Sequence, residues 1–108
     1  MELSEETAHF RRKGTGFLNS EGNIERAAVC YSRAIKLNPK EPTSYFCKSL
    51  NLKARGKKKY ALYCMSQAIN LGSSSLNHCL AYKGKILNEM GRNEEAVDCY
   101  DEAIKINP

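Results

Sequence analysis

The chain has 108 residues, 42% of them hydrophobic and 27% charged, a balance that excludes a disordered polyelectrolyte and a membrane-embedded protein and suits one core or one short repeat array. Its net charge of +5 is uneven: residues 1–38 carry six basic and five acidic groups, 39–72 seven and one, and 73–108 four and six. The apolar runs, around Ala27–Tyr31 and Ala61–Met65, fall short of the roughly 20 residues of a spanning helix or the roughly 7–15 of a leader.

Along the chain, residues 4–19 read as a first helix. Glu5 and Glu6 suit the positive end of its dipole, and Phe10-x-x-Lys13-Gly14-x-x-Phe17 places two large residues around a glycine on one face. Gly22 punctuates it. A second helix, 24–37, carries Ala27, Tyr31 and Ala34, then Ile35, and Asn38-Pro39 stops it. Pro42 fits the first turn of a third helix, 42–55, with Tyr45-x-x-Lys48-Ser49-x-x-Leu52. After Gly56, a fourth helix, 58–71, repeats the alanine stripe as Ala61, Met65 and Ala68, then Ile69, and Gly72-Ser73-Ser74-Ser75 closes it. The fifth, 76–90, has Leu80-x-x-Lys83-Gly84-x-x-Leu87 and ends at Gly91. The sixth, 94–106, has Ala96, Tyr100 and Ala103, then Ile104, before Asn107-Pro108.

The same two segments therefore occur three times at a period of 34 or 35 residues. Self-similarity at that period marks a stacked helical array, in which helices of about 14 residues, marginal alone, gain stability from their neighbours.

On these residues the chain resembles the tetratricopeptide repeat (TPR) family, whose unit is a helix-turn-helix of about 34 residues with this order of large and small positions. The resemblance covers essentially the whole chain, as one array with repeats at about 7–40, 41–75 and 76–108. It implies an all-α, right-handed superhelical solenoid of three helix pairs. Departures are local: an extra residue between Gly14 and Ala27, Ser49 for a glycine, Ser73 for a proline, and no tryptophan.

Cys30, Cys64 and Cys99 occupy one repeat position. Successive second helices lie about 10 Å apart, beyond the roughly 7 Å between Cα atoms that a disulfide spans. These cysteines are expected to be free thiols filling helix contacts in a reducing, cytoplasmic setting, with no metal or other cofactor. His9 and His78 have no catalytic partners at a recognisable spacing, so no enzyme is expected. The acids Glu94, Glu95, Asp98, Asp101 and Glu102 read as a solvated face.

The run Lys53-Ala54-Arg55-Gly56-Lys57-Lys58-Lys59 has five cations in seven residues. It suits nucleic-acid phosphates, an anionic surface or a nuclear address, but no aromatic stands within it to stack on bases. A solvated turn is the plainer reading.

In the family, a second stripe on each first helix lines a concave groove. The resemblance places there Ala8, Arg11, Thr15 and Leu18, then Thr43, Phe46, Leu50 and Lys53, then His78, Ala81, Lys85 and Asn88. The implied function is a non-catalytic scaffold for a peptide or protein segment, with Phe46 and Leu50 as anchors free of stacking duty, and with Arg11, Lys53 and Lys85 framing an acidic group. The two-carboxylate clamp that some members use for heat-shock chaperone tails is not expected: only Arg11 keeps its character, while Thr15, Cys47, His78 and Tyr82 replace the other four groups. The last helix leaves Val97, Tyr100 and Ile104 without a neighbour, so self-association or a longer array is expected.

Overall fold

The computed structural model describes residues 3–17 and 23–106, folded as six helices with no strand among them: α1 (Leu3–Gly16), α2 (Ile24–Leu37), α3 (Pro42–Ala54), α4 (Lys58–Asn70), α5 (Leu76–Glu89) and α6 (Asn93–Ile106). The expected boundaries hold closely except that α1 ends at Gly16 and Phe17 continues in a wider π turn. Leu18, Gly22, Asn107 and Pro108 lie outside the described residues.

Local chemistry explains the stops and starts. The Asn23 side chain accepts from the Arg26 amide at 3.0 Å, capping α2, and Pro42 opens α3 where its missing N–H costs nothing. Gly56 and Gly91 take φ of 77° and 80°, left-handed values that only glycine adopts freely. There the Lys57 and Arg92 amides each reach back 2.9 Å, to the Leu52 and Leu87 carbonyls. These turns fold α3 onto α4 and α5 onto α6.

Consecutive helices pair as α1·α2, α3·α4 and α5·α6, and the pairs stack through α2·α3 and α4·α5. Ala27, Ala34, Ala61 and Ala68 are fully buried, as small residues must be where backbones approach closely. The core runs on through Leu52, Met65, Cys79 and Ile86 to Leu87, Ala96 and Cys99, with Leu62 between the two groups. All five cysteines are free. Tyr31 and Met65 are covered by the following pair, whereas at the last repeat Tyr100 is 36% exposed, Val97 54% and Ile104 59%.

Each pair closes on one small-to-large contact. A Cβ added at Gly14 would meet the Tyr31 ring at 2.9 Å and Cys30 at 3.2 Å, and one added at Gly84 would meet the Tyr100 ring at 2.9 Å. The middle repeat changes both partners together: Ser49 replaces the glycine, and slender Met65 replaces the ring. The Ser49 hydroxyl then donates to the Ala61 carbonyl at 2.6 Å, which satisfies a polar group in a fully buried place.

Two expected outcomes follow from this packing. Gly14→Ala should cost about 1–3 kcal/mol by overpacking against the buried Tyr31, less about 1 kcal/mol regained in helix propensity. Gly84→Ala should cost less, because the partly exposed Tyr100 ring can yield. Adding Tyr31→Met to Gly14→Ala should recover part of the loss, as in the middle repeat, and urea unfolding reads all three.

The second outcome concerns pH. Burial pushes the Cys47, Cys64 and Cys99 thiols above their ordinary 9.0, and the Tyr31 and Tyr45 phenols above 10.0. The folded chain holds these protons longer than the unfolded chain does. Stability contributed by the neutral groups is therefore complete below about pH 9 and falls as pH rises beyond it. Urea midpoints at about pH 7.5, 9 and 10.5 should fall over the last interval, and a flat profile would contradict the burial.

Candidate functional site

Beside the stacking face of each first helix, α1, α3 and α5 present a second face, part of which also meets the core. The best-formed part of the groove lies between α3 and α5. Phe46 and Tyr82 meet edge to face, centroids 5.4 Å apart and planes at 80°, at a cleft of about 290 Å³ also lined by Thr43, His78 and the turn residues Ser73, Ser74 and Ser75. That space accepts one large side chain. Apolar rings line part of it, and hydroxyls and an imidazole surround them.

The structure corrects the expectation that the groove residues are free of packing. Phe46 and Leu50 are half-buried and packed against the core of Leu52, Met65 and Ile86. Helix α5 lies close enough for the base of this stripe to serve as core. Thr15 is likewise engaged: its hydroxyl lies 3.0 Å from the Tyr31 hydroxyl and 3.1 Å from the Arg11 carbonyl.

The cations differ from expectation too. Arg11 is paired with Glu41, the residue preceding α3, and Glu41 also receives the Ser44 hydroxyl at 3.4 Å. Lys53 stands 3.6 Å from Glu89 of α5. Each ion pair crosses from one repeat to the next, so the frame intended for an acidic ligand is partly closed by the chain's own carboxylates. Lys85, Asn88, Thr43 and His78 remain exposed, while Ala81 is half-buried. Ala81 and His78 border a second hollow of about 380 Å³ with Asn77, Tyr100, Ala103 and Ile104, between α5 and α6. Leu18 lies outside the described residues.

The sequence reading placed Tyr82 at a clamp position but not as the ring that meets Phe46, and it missed the serine turn as a rim and Glu41 and Glu89 as internal counter-ions. One signal was available for Tyr82: it sits four residues after His78, hence on the same side of α5. Among the described residues no three His, Cys, Asp or Glu side chains converge as a metal site would need. No helix there is long and apolar enough to cross a membrane.

Comparison with known proteins accords with this geometry. Two family models described as tetratricopeptide repeat match residues 17–41 and 79–108, one at each end of the array. The chain is a tetratricopeptide-repeat protein. A TPR repeat-containing protein of Methanocaldococcus jannaschii is 30% identical over 81 residues, 75% of this chain and 14% of the relative, so the array spans a small part of that protein's length. Among solved structures, the second TPR of Spaghetti (RPAP3), bound to the HSP90 peptide SRMEEVD, aligns with a TM-score of 0.84 at 24% identity over 92% of this chain and 90% of that one. The second TPR domain of human RPAP3, in complex with the HSP70 peptide SGPTIEEVD, aligns with a TM-score of 0.89 at 23% identity over 99% and 88%. Such likeness fixes the fold of this TPR array, an all-α solenoid of a family whose members are in general protein-interaction modules.

Because Phe46 also packs on the core, Phe46→Ala should lower unfolding stability by about 1–2 kcal/mol while helical content in mild buffer stays nearly unchanged. Glu89→Gln, at a partly exposed pair, should move stability by no more than about 0.5 kcal/mol. Equal effects from the two would show that the α3–α5 contact carries less than the geometry implies.

Proposed function

We propose that this chain is a non-catalytic interaction module, one array of three repeats over residues 1–108, that takes a peptide or protein segment along the concave side of α1, α3 and α5. The observation that carries this reading is the Phe46–Tyr82 cleft, where half-buried rings, hydroxyls and an exposed imidazole converge on a space of side-chain size. A hydrophobic side chain of the partner fills the cleft, and its backbone meets Thr43, His78 and the serine turn. Lys85 and Asn88 extend the contact along α5.

The internal ion pairs bear on which partner is taken. An acidic ligand must displace Glu41 from Arg11 or Glu89 from Lys53 and leave that carboxylate unpaired, so acidity adds little net affinity here. The RPAP3 domains hold peptides ending in two acidic residues, a valine and an aspartate. This groove has only one cation where the chaperone-tail clamp has its conserved groups, and that cation is already engaged. SRMEEVD should therefore bind in the millimolar range or not at all by calorimetry, and micromolar binding would overturn this account of the clamp positions.

The groove itself is tested by selecting displayed random peptides on the intact chain and rescreening them against two exposed-site variants. Thr43→Arg fills the mouth of the cleft without touching the core and should abolish binding of most selected peptides. Lys36→Glu, on α2, should leave them bound. Peptides that ignore Thr43→Arg would remove the cleft from the working surface.

A further inference from the structure

The opposite side of the array has a different chemistry. Helices α2 and α4 carry Arg26, Arg33, Lys36, Lys58 and Lys59, with Lys57 just before α4, against a single acid, Glu25 in the first turn of α2. Helix α4 contains no acid and has no side-chain cap, so Lys57, Lys58 and Lys59 add to the positive end of its dipole instead of balancing it. An anion near them would relieve the repulsion.

Two aromatic rings follow at once. Tyr60 and Tyr63 are 63% and 54% exposed and, three residues apart, share one side of α4. The first stands directly after the lysine run, which supplies the stacking surface that the run itself lacks. Neither tyrosine lines the concave cleft.

The strip continues onto α2. Burial chiefly, and the Tyr63 phenol in lesser part, push up the Tyr45 phenol of α3, and Lys48 reaches from α3 to the Ser32 hydroxyl of α2 at 3.2 Å. Ser32 in turn borders a shallow hollow of about 320 Å³ with Val29, Arg33 and Lys36. At α6 the sign reverses: Asp98 stands at the repeat position of Tyr63, with Glu95 and Glu102 on the same helix. The basic strip thus has a defined end.

We infer that the outer face of α2 and α4 binds single-stranded nucleic acid, with Tyr60 and Tyr63 stacking on bases and the neighbouring lysines holding phosphates. Cations alone would suit any polyanion. Exposed rings beside them select a ligand that has both phosphates and unpaired flat bases, and stacking on tyrosine tolerates any base sequence. Bases locked inside a duplex cannot reach the rings.

The test is fluorescence anisotropy with labelled twelve-nucleotide oligo(dT) and oligo(U), using the intact chain. With about four phosphates neutralised, affinity should fall roughly fifty-fold between about 50 and 200 mM salt. Replacing both rings, Tyr60→Ala with Tyr63→Ala, should weaken binding at least about ten-fold, and Tyr60→Phe with Tyr63→Phe should restore most of it. Circular dichroism should show both variants folded, since the rings are exposed. Thr43→Arg should leave oligonucleotide binding intact, which separates this surface from the groove. Four results would overturn the inference: no binding at about 50 mM salt, indifference to the alanine pair, equal competition by polyglutamate, or capture by phosphatidylserine vesicles without oligonucleotide binding.

Discussion

The array depends on close approach between paired helices, and that approach depends on one small residue facing one large residue in each repeat. Gly14 under Tyr31 and Gly84 under Tyr100 leave no room for even a methyl group. Because interiors are packed to near crystal density, this contact sets the separation of the two axes and thereby the positions at which the buried alanines meet. The middle repeat shows that the requirement concerns volume rather than residue identity. Ser49 adds atoms, Met65 gives up a ring, and the extra hydroxyl is satisfied by the Ala61 carbonyl.

Once the pairs are closed, their stacking decides what each remaining face can do. Side chains of α3 reach those of α5, which is why Phe46 and Leu50 serve the core and the concave wall together. The same proximity brings Arg11 within reach of Glu41 and Lys53 within reach of Glu89. These pairs are partly solvated, so each adds little stability. Their larger consequence is electrostatic, because they spend the groove's own cations on the chain's own acids.

Helix number, order and near-exact boundaries were legible in the sequence because stripe spacing and helix stops are local properties, written by residues such as Ala61, Ala68, Pro42 and Gly91. The TPR resemblance followed from the recurrence of those same residues. What the sequence left illegible lay between repeats. That Arg11 would meet Glu41, thirty residues away, or that Lys53 would meet Glu89, depends on how far one pair is displaced on the next, and no local pattern encodes it. Asn51 belongs to this group: it is almost fully buried and donates to the Ile24 carbonyl at 2.9 Å, a tie across repeats at a position where the other two units have Gly16 and Ile86.

Taken together, the two sides divide the charge unequally. On the concave side opposite charges pair off, and under the proposed function recognition falls to shape and to the rings of Phe46 and Tyr82. On the convex side α2 and α4 gather cations with scarcely an acid among them, while α6 gathers acids. A net charge of +5 spread evenly over a surface of 6565 Å² would be weak. Concentrated on one face of two helices, it produces a directed field that salt screens only beyond about 8–10 Å. Second-helix outer positions bear no packing duty in a solenoid, so their composition is free to vary without cost to the fold. A run of cations at such positions carries a repulsion cost that stacking does not require, and contact with the proposed anionic ligand would offset it.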